Sequence, residues 1–243
     1  MNIMINIGNF FFKYRNQLFI FLYALLLIPS PQLFSFDRFV SDHWQFSFFI
    51  GLFITTVGIF IRGLTIGLTF VERGGKNLKI HADALILKGL FVHCRNPLYV
   101  GNNLMLLGLG ILSNSLLYVL VVVPIFLIIY QAIVLAEEDF LRGKFGQEYM
   151  DYCSKVNRWV PKLKGIGNTL SEMKFSWKRW LFTEYNTQIF WLTGVALTIF
   201  FKYPEIIDFA KREEFTITFL VIMVIYYLFL RWLRKSGKVK FEK

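Results

Sequence analysis

An all-α, polytopic membrane bundle of about six transmembrane helices is the fold class this sequence predicts, and three observations predict it. Of its 243 residues, 56% are hydrophobic and 19% aromatic, with only 18% charged; a soluble domain carries about a quarter charged residues. The apolar residues gather into long blocks, several of them near the roughly 20 residues a helix needs to cross a bilayer core. The loops between these blocks alternate between basic and nearly uncharged, as the loops of a membrane protein do on its two sides.

The first block runs from about Phe10 to Ile28 and stops at Pro29 and Pro31, which disfavour helix continuation. Lys13 and Arg15 ahead of it imitate a signal peptide, but Pro29-Ser30-Pro31 and more aromatics follow in place of a small-residue cleavage pattern. It is read as a retained span. The second runs from about Trp44 to Phe70, with Gly63 and Gly67 giving a small-xxx-small face for close helix packing. The third starts after Pro97 and ends near Leu112, and Gly108 and Gly110 invite the same packing role. The fourth covers Leu116 to Ala136, the fifth Gln188 to Phe201, and the sixth Phe215 to Leu233. Between the fourth and fifth, Lys162 to Tyr185 is basic and aromatic (Trp177, Trp180, Phe182) and reads as an interfacial element on the cytoplasmic leaflet. Three units result: residues 1–82 with spans one and two, 83–161 as a core with spans three and four, and 162–243 with the interfacial segment and the last two spans.

Charge fixes the predicted orientation. One set of loops holds Lys13, Arg15, Arg73, Lys76, Lys79, Lys88, Arg95, the stretch from Arg142 to Arg179, and a tail with Arg231, Arg234, Lys235, Lys238, Lys240 and Lys243. The opposite set has Arg38, then Lys202, Lys211 and Arg212 among acids. Both termini are therefore predicted to be cytoplasmic. The net charge of +11 is explained by this bias toward anionic lipid, and nucleic acid is not an expected partner. Cys94 and Cys153 fall in loops on the basic side, which predicts free thiols in a reducing compartment. Neither has a metal-like spacing to another cysteine or to His43, His81 and His93, so no metal site is expected.

Two places break the membrane pattern. His93-Cys94-Arg95-Asn96-Pro97-Leu98-Tyr99 leads into the third span, with Pro97 suited to a first helical turn. Free N–H groups and the positive dipole end there, with Arg95, Asn96 and Tyr99 around them, form a cradle for a carboxylate; a capped helix with a snorkelling arginine is the alternative. Glu137-Glu138-Asp139 closes the predicted fourth span, where acids face the negative dipole end. A bound cation or several basic neighbours would remove that conflict. Beyond it, Phe145-Gly146-Gln147-Glu148-Tyr149, Tyr152 and Val156-Asn157-Arg158…Pro161 read as a short amphipathic helix and its exit.

The order of these pieces, an Arg-Asn-Pro-x-Tyr helix start, a tight helical hairpin, then Glu-Glu and Phe-Gly-x-x-Tyr-x-x-Tyr, resembles the isoprenylcysteine carboxyl methyltransferase and phospholipid methyltransferase superfamily over about Asp83 to Pro161. The resemblance implies a membrane-embedded methyltransferase using S-adenosylmethionine, with a hydrophobic or lipid acceptor entering from the bilayer. It implies that Asp83, Ala84, Leu85 and Ile86 wrap the adenosine with Phe91 nearby, and that Asn96, Pro97, Leu98 and Tyr99 form the cofactor turn. It also implies that Glu137, with Glu138 beside it, meets the methionine moiety. Carboxylates suit a sulfonium and an ammonium, and helix N–H groups suit the cofactor's carboxylate. Arg95 joins this turn, and His93 is the nearest general-base candidate for an amine acceptor. One departure is that the arginine thought to hold a prenylcysteine carboxylate is matched here by Ile133, with Gln131 nearby, which weakens that substrate class. Another is the additional pair of spans after Pro161. Membrane sterol reductases using NADPH resemble the same region, including Tyr152-Cys153…Val156, but an acidic pair suits a phosphate-rich cofactor poorly. A non-catalytic carrier or scaffold is the remaining alternative.

Overall fold

A computed structural model describes residues 2–34, 43–71, 75 and 79–236. Arg38, Arg73, Lys76, Lys238, Lys240 and Lys243, used above to orient the chain, lie outside the described residues. Among the described residues seven α-helices form the fold: α1 (Asn2–Ala24), α2 (His43–Leu68), α3 (Pro97–Leu112), α4 (Val123–Lys155), α5 (Ile166–Glu172), α6 (Trp177–Lys202) and α7 (Arg212–Lys235). Among the same residues there is no sheet; an isolated bridge joins Gln32 and Ser115.

Among the described residues three helical stretches are long and apolar enough to cross a membrane: Trp44–Leu68, Tyr118–Lys155 and Arg212–Lys235; Pro97–Leu112 is apolar but shorter. All six predicted spans coincide with helices, while three, in α1, α4 and α6, differ in extent. Helix α1 begins at Asn2, so Lys13 and Arg15 fall inside a helix instead of in a loop ahead of one. Helix α6 begins at Trp177, where the N-cap Ser176 side chain accepts from the Arg179 N–H. The segment expected to lie on the leaflet to Tyr185 is thus split into the short α5 and the first turns of α6.

Helices α2 and α3 pack along each other more extensively than any other pair, and glycine makes that possible. A Cβ at Gly101 would lie 2.7 Å from the Gly58 carbonyl oxygen, and one at Gly108 would lie 2.7 Å from that of Gly51. Neither approach leaves room for a side chain. Of the glycines singled out from the sequence, Gly108 serves this seam, Gly110 faces Tyr118, and Gly63 and Gly67 receive Trp180 and Phe175. Polar residues survive within α2 because Thr55, Thr56 and Thr65 donate to carbonyls one turn back, at 2.7, 2.8 and 2.7 Å.

A tight turn joins α3 to α4, with Asn114 at φ 48°. The extended chain at 31–34 covers it: Leu116 N–H donates to Pro31 O, and Leu33 N–H to Asn114 O. Tyr118–Val122 then adopts a π-turn ahead of Pro124. Proline has no N–H for the usual i−4 carbonyl, and a wider turn accommodates that loss. Helix α4 runs on to Lys155, with a kink at Gly146 (φ 52°, ψ −123°). Glu137 and Glu138 therefore sit mid-helix, and the expected clash with a helix C-terminus does not arise. Helix α1 packs on α4, and α7 on α6. The core between α3 and α4 is closed by Leu109, Leu112, Phe126 and Ile133, all fully buried.

Candidate cofactor site at the start of α3

The site is assembled from three segments that the kinked α4 brings together. Pro97 is at the start of α3 and buried, where a missing N–H leaves no bond unmade. Asn96 precedes it as the N-cap without a side-chain cap bond; its Nδ2 instead donates to Arg158 O at 3.2 Å. The exit of α4 lies against this entry, with Arg95 N–H donating to Asn157 O and Lys162 N–H to His93 O, both 2.9 Å.

Two carboxylates meet this seam in different ways. Tyr99, one turn into α3, donates its hydroxyl to Glu137 Oε1 at 2.7 Å, and its ring packs on Tyr130 at 5.2 Å. Glu138 is buried and holds Arg158 through two bonds, Nε to Oε1 at 2.9 Å and an NH2 to Oε2 at 2.7 Å. Arg95 NH2 approaches Glu138 Oε1 at 3.5 Å. These are the basic neighbours that the acidic cluster requires. The Glu138 hydrogen bond, foremost, lifts the Arg158 pKa above its ordinary value. Arg95 keeps a buried Nε with no hydrogen-bond partner, a donor suited to an incoming carboxylate.

The remaining sequence-predicted residues take different places. Leu98 turns its carbonyl to Arg62 NH1 at 3.3 Å. Phe91 is half-buried, and its carbonyl accepts the Tyr152 hydroxyl at 2.7 Å. Asp83 and Ala84 are exposed, Leu85 and Ile86 half-buried. The segment is tethered to α4 by Lys144, whose Nζ donates to Ala82 O, and Asp83 bonds His81 at 2.8 Å. His93 is buried, with Nδ1 2.7 Å from Lys162 O and Nε2 2.8 Å from Thr169 Oγ1. Because a carbonyl only accepts, Nδ1 carries a proton, and Nε2 meets the Thr169 hydroxyl. Cys94 is buried and its thiol points at the Arg158 and Trp159 carbonyls. Burial pushes its pKa up, outweighing the Asn96 hydrogen bond and the Arg95 charge.

Arg158, read from the sequence only as part of the helix exit, and Trp159, not named there, are the further contributors. Their signal was present: an arginine and a tryptophan directly after the predicted amphipathic helix, with no face of their own to cover. Trp159 Nε1 donates to Gln131 Oε1 at 2.8 Å. Both line a cavity of about 360 Å³ between α3 and α4 with Val100, Asn103, Leu104 and Leu127. Asn103 Oδ1 is buried there without a partner. Asn103 is one helical turn beyond Tyr99 on the same face of α3. Among the described residues no group of three or more His, Cys, Asp or Glu side chains comes together as a metal site would.

The phospholipid methyltransferase family matches residues 46–148. The chain is 32% identical over 114 residues to the cobalt-zinc-cadmium resistance protein CzcN of Cupriavidus metallidurans, covering 47% of this chain and 47% of that protein. It is 23% identical over 138 residues to the nickel-cobalt-cadmium resistance protein NccN of Alcaligenes xylosoxydans xylosoxydans, covering 57% of this chain and 61% of that protein. The matches thus span about half to three fifths of the length of these curated relatives. No solved structure matches the chain. From residue 46 to residue 148, through α2, α3 and α4 to just past its kink, the chain is similar to the phospholipid methyltransferase family.

Proposed function

We propose that this protein is a multi-pass membrane methyltransferase that transfers a methyl group from S-adenosylmethionine to a lipid or other hydrophobic acceptor, with both termini cytoplasmic. The observation that carries the reading is the pairing of Tyr99 with Glu137 inside the family-matched segment, next to the cluster that Arg158 from beyond that segment completes with Arg95 and Glu138. When bound, the cofactor supplies a methyl group already activated by a sulfonium. The protein's work is then binding, orientation and exclusion of water.

The residues suit that work. Glu137, oriented by the Tyr99 hydroxyl, presents a carboxylate to a cationic group. The first turn of α3 and the unpartnered Arg95 Nε suit a carboxylate. Glu138 is already engaged by two arginines, so its role is to hold Arg95 and Arg158 in place. Asp83 to Ile86 and Phe91 supply a flank for the adenosine. His93 takes a proton from an amine acceptor only by giving up the Thr169 hydroxyl, and otherwise holds the 162–169 segment. The cavity below, with the Asn103 amide oxygen and Gln131, suits an acceptor that reaches the site from between α3 and α4. The metal-resistance names of the relatives belong to those proteins, and the reading does not draw on them.

Equilibrium binding of labelled S-adenosylmethionine to detergent-purified protein tests the proposal, with Glu137→Ala alongside and NADPH as competitor. Saturable binding lost in the variant and indifferent to NADPH is expected. Binding that survives the substitution overturns the site, and NADPH binding in its place favours a reductase.

A further inference from the structure

A second cavity, of about 270 Å³, lies on the opposite side of α3, between the family-matched helices and the C-terminal pair α6 and α7. Its polar wall is a buried ion pair. Arg62 of α2 meets Glu184 of α6 through NH2 at 2.8 and 2.9 Å and Nε at 3.2 Å, and its NH1 donates to Asn102 Oδ1 at 2.6 Å. The two charges cancel, so the wall recognises neither a cation nor an anion. Ile59, Met105, Trp180, Leu192 and Tyr226 supply apolar surface.

Two donors lining this cavity are left over. Trp191 Nε1 and Gln188 Nε2 are buried with no hydrogen-bond partner, while Gln188 Oε1 accepts the Tyr226 hydroxyl at 3.0 Å. Residues 188 and 191 share one face of α6. A buried donor without a partner is costly, and two beside one cavity call for acceptor oxygens on whatever fills it. The surroundings narrow the class of molecule. Tyr226 on the cavity wall belongs to α7, an apolar candidate span that is only 6% buried, so an occupant that carries both acceptor oxygens and apolar chains suits the cavity. The volume equals about nine waters at roughly 30 Å³ each, enough for a glycerol with its ester groups and not for a whole lipid.

We propose that this cavity is a lipid-binding site in which Gln188 and Trp191 donate to the ester carbonyl oxygens of a glycerophospholipid. The site is independent of methyl transfer and gives α6 and α7 a function of their own.

An ether-linked lipid lacks those carbonyls and is the discriminating probe. Detergent-purified, delipidated protein is offered an equal mixture of diester and diether phosphatidylethanolamine with matched chains, and the tightly retained lipid is quantified by mass spectrometry. Wild type is expected to retain the diester about tenfold over the diether, and Gln188→Leu/Trp191→Phe to lower that ratio toward one. A wild-type ratio near one, no retained lipid, or an unchanged ratio in the variant overturns the proposal; the wild-type comparison decides even if the variant does not fold. S-adenosylmethionine binding is measured on the same samples. Its absence from wild type counts against methyl transfer and leaves the ester preference to decide the lipid site.

Discussion

Replacing Arg158 by Met should damage the protein more than replacing its partner Glu138 by Gln, and the reason lies in which charge is stranded. The Glu138 side chain is 6% exposed and that of Arg158 33%. Without Arg158, a buried carboxylate keeps only Arg95, at 3.5 Å. Breaking a buried pair in this way costs about 3–5 kcal/mol. Without the Glu138 charge, Arg158 turns to water and the cost falls to about 2–3 kcal/mol, near that of charged hydrogen bonds at 2.7–2.9 Å. For a chain of this size each kcal/mol moves the unfolding midpoint by about 2–4 °C. Arg158→Met is thus expected to lower it by roughly 6–20 °C and Glu138→Gln by roughly 4–12 °C. The double variant should recover about 1.5–3 kcal/mol of the summed loss. Tryptophan emission of the detergent-purified protein during heating reads all four. Equal losses from the two single variants, or a coupling under about 0.5 kcal/mol, would refute the burial argument.

Three further outcomes are expected. Tyr99→Phe removes the bond that aims Glu137 and should weaken S-adenosylmethionine binding about tenfold in equilibrium titration; unchanged affinity would detach Glu137 from the cofactor. Gly101→Leu forces a side chain against the Gly58 carbonyl oxygen, 2.7 Å from the new Cβ, and should cost about 1–3 kcal/mol by thermal unfolding. Gly143→Leu, with nothing within 4 Å, should leave the midpoint in place. Cys94, whose pKa is raised by burial, holds less thiolate at any given pH below that value. It should alkylate at least tenfold more slowly than Cys153 at pH 8 and speed up as pH rises or the protein unfolds, as followed by mass spectrometry.

The positions and order of the long helices were legible because long apolar blocks bounded by Pro29, Pro97 and charged loops leave few alternatives, whereas the short α5 has no apolar block of its own. Glu137, Tyr99 and the Arg95 turn were legible as an ordered motif. Their mutual contacts were not, since Tyr99 reaches Glu137 across 38 residues and only the packing of α3 beside α4 joins them. The end of α4 was misjudged because hydropathy drops at Glu137, whereas helix propagation responds to backbone bonding and continues through the acids to Gly146. The α2–α3 seam was hidden because Gly51, Gly58, Gly101 and Gly108 recur every seven residues on two helices, and neither spacing is informative until the two are laid antiparallel. Glu184 carries no signal of its own within a basic, aromatic stretch; its meaning depends on Arg62, 122 residues earlier.

The two arginines around Glu138 also differ in when they exist. Arg95 is synthesised before Glu138, and Arg158 follows it by twenty residues, a delay of about one to four seconds at ribosomal speeds. During that interval Arg95 is the guanidinium already available to a nascent carboxylate entering an apolar bundle. The chain then doubles back at Gly146 and delivers the stronger partner. A chain that ends before residue 158 therefore has every helix of the matched segment yet leaves Glu138 with Arg95 as its remaining ion-pair partner at this seam.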